Sequence, residues 1–260
     1  MAMDLGPRLR AVAQLALPCE TLADIGTDHA YLPLFALEAG MVHRAIATDV
    51  REGPLSRARA HLAARGLLPR VSLRLGDGLE PLQVGEADVI VSAGLGGRAQ
   101  ADMIERREDV ARSARRLVFQ PMGGGHVLRQ TLYRLGFHLA AEVAVCEADK
   151  PYEIVAAEYR GGPDPAYAVA LSALCDRGLR PDEAWEALWM VGPLLCRTND
   201  PCLRRRIEGE NSRTERAMAR VERAGNPASH AAQLEMLARR QKIWSALMDM
   251  WETCGEMSRG

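Results

Sequence analysis

An alternation of short apolar runs with amphipathic helical patterns fills residues 1–160 and is the feature that most constrains the fold of this chain. Short apolar runs predict buried strands, whereas apolar residues that recur every three or four positions predict helices. The predicted strands are Thr21–Ile25, Arg44–Thr48, Arg70–Leu75, Ala87–Ala93 and Arg116–Gln120. The predicted helices are Pro7–Leu17, Tyr31–Ala39, Pro54–Arg65, Gly97–Arg107 and His126–Leu135. Repeated strand–helix units of this kind predict a parallel sheet with helices on both faces.

Two further apolar runs, Phe137–Cys146 and Tyr152–Tyr159, follow without a helical pattern between them. Consecutive strands joined by a short connection pair as an antiparallel hairpin. A mostly parallel sheet that closes with such a hairpin is typical of class I methyltransferases, and plain doubly wound folds lack it. The sequence therefore predicts an α/β, Rossmann-like fold of that class.

A segment rich in glycine and proline, Arg160-Gly161-Gly162-Pro163, predicts a linker between two domains. We expect residues 1–161 to form the sheet domain and residues 166–260 to form a helical one. Apolar residues mark one face of two long helices in the second domain, before and after a break at Gly225-Asn226-Pro227. Two long helices joined by a tight turn predict a coiled-coil-like helical hairpin.

Charge is distributed unevenly along a chain whose net charge is only −1. Between Arg197 and Lys242 there are eleven Arg or Lys residues and six Asp or Glu residues. This basic excess suits a polyanionic partner, although a solvated helix face explains it equally well.

Composition excludes several classes of protein. No segment approaches the run of about 20 apolar residues that a membrane span needs, and the amino-terminal region lacks the layout of a signal peptide, so we expect a cytoplasmic protein. The six cysteines form no C-x-x-C pair, so no metal site is predicted.

The loop after the first predicted strand, Asp24-Ile25-Gly26-Thr27-Asp28-His29, is the first candidate site, because ligands of α/β sheets bind beyond the carboxyl ends of the strands. It lacks the G-x-G-x-x-G pattern that seats a pyrophosphate. Its two acids would repel a pyrophosphate but can accept hydrogen bonds from an α-ammonium group. The electrostatics therefore favour a zwitterionic amino-acid cofactor with a sulfonium over NAD.

Acids also end the next two strands. Asp49 is placed to accept the ribose hydroxyls of an adenosine, next to Val50, and Asp77 is placed to accept the adenine amino hydrogen, next to Gly78. Any one of these acids could simply cap a helix or form a turn. Acids at three successive strand ends instead indicate a cofactor site.

The fourth and fifth strands end in Ala93-Gly94-Leu95-Gly96-Gly97 and in Gln120-Pro121-Met122. Glycines let a flat base approach the backbone closely, and Gln120 could hydrogen bond the edge of that base. Two simpler interpretations stay open at this point. The glycines could form only a turn before the next helix, and Gln120 could only satisfy its own loop.

The segment Asp24–Pro33, with the sequence DIGTDHAYLP, closely resembles the signature of the bacterial tRNA adenine-22 N1-methyltransferases, the TrmK family. Gly76–Leu79, Ala93–Gly97, Gln120-Pro121 and Tyr152–Ile154 are similar to further motifs of that family. The resemblance covers roughly residues 5 to 160. The chain departs from it at Met122, where the family often has Asn, and at Leu95, where it often has Met.

The resemblance implies transfer of a methyl group from S-adenosyl-L-methionine to N1 of adenine 22 in tRNA. The implied cofactor-binding residues are Asp24, Gly26, Thr27, Asp28, Asp49, Val50, Asp77, Gly78, Ala93 and Gly94. The implied substrate-binding residues are Tyr31, Leu95, Gly96, Gly97, Gln120 and Pro121, with Arg204, Arg205 and Arg206 on the basic helical arm. The candidate catalytic residues are Asp28, His29 and Gly94.

Two alternatives remain at the level of sequence. The chain could methylate another RNA or a small molecule, or it could bind RNA or sense S-adenosylmethionine without catalysis. Either alternative is compatible with the predicted fold but does not have adenine 22 of tRNA as the methyl acceptor.

Overall fold

The computed structural model describes residues 4–223 and 227–257. The chain divides into two compact units, Met1–Asp164 and Pro165–Gly260. The predicted turn at Gly225 and Asn226 lies outside the described residues.

The first unit is built on a seven-stranded sheet. Its strands are β1 (Thr21–Ile25), β2 (Arg44–Asp49), β3 (Val71–Leu75), β4 (Val89–Leu95), β5 (Arg116–Pro121), β6 (Phe137–Glu147) and β7 (Lys150–Tyr159). Their order across the sheet is β3-β2-β1-β4-β5-β7-β6. Strands β1 to β5 run parallel, whereas β7 pairs antiparallel with both β5 and β6. The predicted Rossmann-like methyltransferase sheet with a final antiparallel hairpin is therefore confirmed.

The helices of the first unit are α1 (Pro7–Ala16), α2 (Tyr31–Glu38), α3 (Glu52–Ala64), α4 (Gly97–Arg106), α5 (Glu108–Ser113) and α6 (Gly125–Arg134). The short helix α5 was not predicted, because six residues offer less than two turns of apolar periodicity. The other five lie within two residues of their predicted bounds.

A two-residue turn explains why β6 and β7 form a hairpin. Ala148 and Asp149 join the strands with positive φ values of 48° and 61°. Positive φ at both central residues is the geometry of the tight hairpin turn whose twist matches that of paired strands. The last β6–β7 pair before the turn is Glu147 with Lys150.

Strand β4 ends two residues later than predicted, and this shift shapes the site described below. The register between β4 and β5 is irregular between Ala93 and Leu95. Gly94 lies at this irregularity with φ of +84°, a conformation that favours glycine. Leu95 then pairs with Pro121 on β5.

A buried ion cluster joins α6 to the final hairpin. Nε of Arg129 lies 2.7 Å from a carboxylate oxygen of Glu142, and Nη2 of Arg129 lies 2.9 Å from one of Glu153. The Arg129 side chain is fully buried, so its charge depends on these two partners.

The second unit is helical in all of its described regular elements. Its helices are α7 (Pro165–Cys175), α8 (Pro181–Val191), α9 (Pro201–Arg223) and α10 (Pro227–Met257). Helix α9 contributes buried Leu203 and Ile207, and α10 contributes buried Ile243, Leu247 and Trp251. None of the helices, as far as the described residues go, has the length and apolar character needed to cross a bilayer.

Candidate active site

A cavity of about 580 Å³ opens at the carboxyl edge of the parallel strands. The loops after β1, β2 and β3 and the end of β4 line it, together with residues of α1 and α4. Asp24, Asp49 and Asp77, which end three successive strands, all lie on its wall. The structure therefore brings the three predicted acids together.

Asp24 is the most strongly perturbed acid of the cavity. The pKa of its carboxyl group is raised to about 6, mainly by burial and to a smaller extent by the nearby Asp49, against the lowering effect of a hydrogen bond with Thr27. A buried carboxylate of this kind is stabilised by any cationic group that comes within hydrogen-bonding distance. Beside it, Gly26 has φ of +77°, and a Cβ there would lie 3.3 Å from Leu95.

Asp49 and Asp77 differ in their surroundings. Asp49 is buried, and its Oδ1 accepts a hydrogen bond of 2.9 Å from the backbone N–H of Arg51. Asp77 is exposed, and Arg106 lies 2.7 Å from one of its oxygens. Gly78 follows with φ of +55°, and a Cβ there would lie 2.6 Å from Cγ of Met103, so a larger residue does not fit.

The residues predicted to contact the methyl acceptor fall into two groups. Ala93, Gly94, Leu95 and Tyr31 line the cavity, whereas Gly96, Gly97, Gln120 and Pro121 do not. The N–H of Gly97 donates to the carbonyl of Gly123 at 2.8 Å. A Cβ on Gly97 would lie 2.3 Å from the carbonyl oxygen of Gly124. Gly97 therefore allows two loops to touch behind the cavity wall.

Gln120 and Pro121 also lie behind the wall. Gln120 is fully buried, and its amide oxygen accepts a hydrogen bond of 2.5 Å from Nη1 of Arg8. Its amide nitrogen donates to the carbonyl of Pro121 at 3.0 Å. The observed contacts agree with the simpler interpretation, in which Gln120 satisfies local groups, and contact with a base edge remains a prediction.

The loop after β1 carries a charged pair and a stack of rings. Asp28 accepts a hydrogen bond from Arg57, which lowers the pKa of the Asp28 carboxyl group. The ring of His29 stacks on Tyr31 and on His61, with centroid distances of 5.1 and 5.4 Å. Tyr31 is 40% exposed, so its outer face can receive another flat group.

A strained residue holds this loop in shape. Ala30 has φ of +54° and ψ of 34° at the start of α2. A residue with a Cβ in this left-handed region carries a cost on the order of 1 kcal/mol, and such strain concentrates at functional sites.

Several lining residues were missed from the sequence. Arg8 and Leu9 reach the cavity from α1, Arg51 follows Asp49, and Met103 comes from α4. His61 joins the ring stack from α3. Most of these residues belong to helices, whereas the sequence pattern marks candidate sites only at strand ends.

The predicted basic arm begins on α9. Arg204 lies 3.0 Å from Glu208 and 3.5 Å from Glu252, and Arg206 donates to the carbonyl of Met190 at 3.2 Å. Arg205 is exposed. Further along α9, a shallow depression is bounded by Glu215, Arg216, Ala219, Arg220 and Arg223. In the described ranges, no group of three or more His, Cys, Asp or Glu residues could hold a metal ion.

Comparison with known proteins supports one family over nearly the whole chain. The family model of a methyltransferase domain matches residues 5–155. The tRNA (adenine(22)-N(1))-methyltransferase of Bacillus subtilis strain 168 is 32% identical over 248 residues, which cover 95% of this chain and 98% of the relative.

Solved structures agree with this relative. The crystal structure of the B. subtilis m1A22 tRNA methyltransferase TrmK is 31% identical with a TM-score of 0.81, covering 94% of this chain and 98% of that one. A Streptococcus pneumoniae structure in complex with S-adenosyl-L-methionine is 28% identical with a TM-score of 0.76, covering 92% and 97%. The resemblance noted in the sequence is therefore confirmed, and this chain belongs to the TrmK family of methyltransferases.

Proposed function

We propose that this protein transfers a methyl group from S-adenosyl-L-methionine to N1 of adenine 22 in tRNA. The observation that carries the proposal is the meeting of Asp24, Asp49 and Asp77 in one cavity. The B. subtilis relative that spans 95% of this chain bears the name of this activity.

The residues of the cavity fit the cofactor. Asp24 accepts the α-ammonium group, and a cationic partner there relieves the cost of its burial. Asp49 accepts the ribose hydroxyls, and Asp77 with Gly78 receives the adenine. Val50 supplies exposed apolar surface for the adenosine. When bound, S-adenosylmethionine supplies a methyl group that its positive sulfonium already activates.

The acceptor base enters beside β4. Gly94 leaves the wall open, since a Cβ there would have Arg8 Nη1, at 3.9 Å, as its one neighbour within 4 Å among the described residues. Tyr31 offers an exposed ring on which a base can stack. Turning the base out of the tRNA stack costs on the order of a few kcal/mol. Stacking on Tyr31 offsets part of that cost.

Catalysis relies on placement and charge. Neutral adenine N1 carries a lone pair, so transfer needs alignment more than a general base. The methylated base is cationic, and the Asp28 carboxylate stays ionised near it because Arg57 lowers its pKa. His29 lies against Asp28 and positions that carboxylate. Gly94 gives the acceptor its approach to the methyl group.

In this proposal the two domains of the chain have different roles. Residues 1–161 bind the cofactor and carry the chemistry, and residues 166–260 hold tRNA through phosphate contacts of arginines. The excess of eleven bases over six acids between Arg197 and Lys242 supports the second role. A tRNA substrate favours a cytoplasmic location.

Total tRNA incubated with the purified protein and S-adenosylmethionine labelled in its methyl group tests the proposal. We expect label in tRNA, in N1-methyladenosine at one position. Label in another RNA or in small molecules would support the broader enzyme alternative. Cofactor binding without transfer would support a sensing role and exclude the proposal.

A further inference from the structure

Met122 is a large apolar residue at the surface that the proposed mechanism leaves without a role. It follows the last residue of β5 and is 55% exposed. Its backbone N–H donates to the carbonyl of Leu95 at 2.8 Å, and Leu95 lines the cavity. Met122 itself is outside the set of lining residues. It therefore lies at the rim of the cavity, next to the end of β4.

Contacts on both sides of Met122 hold its backbone in place. Its own N–H is bonded to Leu95, and the carbonyl of the next residue, Gly123, accepts from the N–H of Gly97 at 2.8 Å. Sδ of Met122 lies 3.6 Å from Nε2 of Gln120, which is fully buried. A side chain on a backbone that is already ordered can contact a partner with little further loss of backbone entropy.

The surface beside Met122 is open. Apart from adjacent residues, a Cβ on Gly96 or on Gly123 would have no neighbour within 4 Å among the described residues. Gly123 has φ of +96°, a conformation that favours glycine. Because glycine has no side chain, neither position shields Met122 from a partner.

Charge beside Met122 favours a polyanionic partner. Arg98 is exposed, and its backbone nitrogen lies 3.4 Å from the site of a Cβ on Gly124, two residues after Met122. Over the ranges that the structure describes, no acid pairs with the guanidinium of Arg98. A guanidinium in this state is suited to bind a phosphate. An exposed apolar side chain next to such a cation matches RNA, which combines flat bases with anionic phosphates.

The position of Met122 agrees with the path proposed for the acceptor base. That base enters beside Gly94 of β4, and Met122 is bonded to the next residue, Leu95. Neighbouring strands are about 4.8 Å apart. Turning a base into a pocket leaves a gap in its stack. Proteins that distort nucleic acids insert apolar side chains, Met among them, between neighbouring bases.

We propose that Met122 is a wedge, an apolar side chain that enters the tRNA stack and fills the gap left by the acceptor adenine. The inference rests on the proposed function, because it assumes that an adenine of tRNA turns into the cavity. Met suits this role, since its unbranched and polarisable side chain adapts to the faces of the neighbouring bases. Arg98 is then available to a phosphate of the same strand.

Single-turnover methylation of two tRNA transcripts tests the proposal. One carries uridine opposite adenine 22, so that the adenine is paired, and the other carries adenosine there, so that it is mismatched. A mismatched base costs less to turn out of the stack, so it depends less on a wedge. We expect Met122→Ala to lower the rate about tenfold on the paired transcript and less than about threefold on the mismatched one. Met122→Leu restores a large apolar side chain and should recover most of the rate.

Met41→Ala is the matched control. Met41 is 41% exposed and lies between α2 and β2, at the edge of the sheet opposite the cavity. This variant should methylate both transcripts at the wild-type rate. Affinity for S-adenosylhomocysteine, measured by calorimetry, should change by less than about twofold in all three variants, because Met122 lies outside the cavity lining.

The outcomes separate this proposal from the proposed function. If the wild-type protein methylates neither transcript, the proposed function fails. If wild type is active and Met122→Ala loses nothing, or loses the same factor on both transcripts, the role of Met122 as a wedge is overturned. A Met122→Leu variant as slow as Met122→Ala would also overturn it. If Met122→Ala does not fold, Met122→Ser carries the same comparison.

Discussion

The Nε2 atom of His29 lies 3.2 Å from a carboxylate oxygen of Asp28, in the loop that joins β1 to α2. The other oxygen of Asp28 accepts a hydrogen bond from Arg57. Two basic side chains therefore hold one acid beside the cavity, and that acid stays ionised because the hydrogen bond from Arg57 lowers its pKa.

Replacing Asp28 with Asn should slow methyl transfer several-fold to about tenfold, because the neutral amide no longer stabilises the cationic product. Affinity for S-adenosylhomocysteine should change by less than about twofold. Single-turnover kinetics and calorimetry measure the two quantities. Asp109→Asn is the matched control, since Asp109 is an exposed acid on α5 that pairs with Arg107. A variant that loses cofactor affinity but not rate would assign Asp28 to the cofactor alone.

Cofactor affinity should fall as the pH falls through about 6. The pKa of Asp24 is raised to about 6 by burial, so the acid is ionised and able to accept from an ammonium group only above that pH. The Kd of S-adenosylhomocysteine should rise about tenfold from pH 8 to pH 5, since one pH unit below the pKa leaves roughly a tenth of the group ionised. Asp24→Asn should bind weakly with a nearly flat profile. If the Kd of Asp24→Asn depended on pH as steeply as the Kd of wild type, Asp24 would not be the acceptor of the α-ammonium group.

The same substitution should stabilise the ligand-free protein. Because the pKa of Asp24 is higher in the folded than in the unfolded chain, its ionisation destabilises the fold as the pH rises from about 4 to about 6. Asp24→Asn should therefore raise the free energy of unfolding by about 1–3 kcal/mol at pH 8 and by almost nothing at pH 4. Urea unfolding at the two pH values measures the difference. Equal gains in unfolding free energy at the two pH values would show that the effect comes from packing rather than from charge.

Removing Arg129 should be strongly destabilising. Arg129→Met leaves Glu142 and Glu153 as buried carboxylates without their shared cation, which costs about 3–5 kcal/mol. Arg134→Met on the same helix breaks an exposed pair with Glu105 and should cost less than about 1 kcal/mol. Urea unfolding of both variants measures the two losses of unfolding free energy. Similar losses would mean that the buried cluster stabilises the fold no more than an exposed ion pair does.

The distal arginines of α9 should contribute more to tRNA affinity than those at its start. Arg204 and Arg206 already contact other parts of the second unit, whereas Arg220 and Arg223 border an open depression. Reversing Arg216, Arg220 and Arg223 to Glu should weaken tRNA binding. The slope of log affinity against log salt should fall by up to about 0.9 for each phosphate that the arm no longer neutralises.

Reversal of Arg204, Arg205 and Arg206 should weaken tRNA binding less. Filter binding over a series of salt concentrations measures both sets. If neither triple variant binds more weakly than wild type, the basic arm has no role in holding tRNA.

The sheet and the three acids could be predicted because each depends on local sequence. A buried strand that ends in an acid is visible in a few residues, and parallel strands place all such ends at one edge. The hairpin at Ala148 and Asp149 followed from the absence of a helical pattern between two apolar runs.

The rest of the cavity depends on packing between distant segments. Arg8 and Gln120 are in contact although they lie 112 residues apart in the sequence, and His61 and His29 are in contact although they lie 32 residues apart. No periodicity within α1 or α3 marks either residue. The two-residue extension of β4 was missed for a similar reason, since the irregularity at Gly94 appears only in its pairing with β5.

Methylation of an unmodified tRNA transcript that carries adenine at position 22 tests the central claim most directly. The transcript is incubated with protein and S-adenosylmethionine, and reverse transcription maps the product. We expect a stop at position 22 that depends on the cofactor and disappears in a transcript with guanine there. Equal incorporation of labelled methyl into the guanine transcript, or a stop elsewhere, would contradict the assignment.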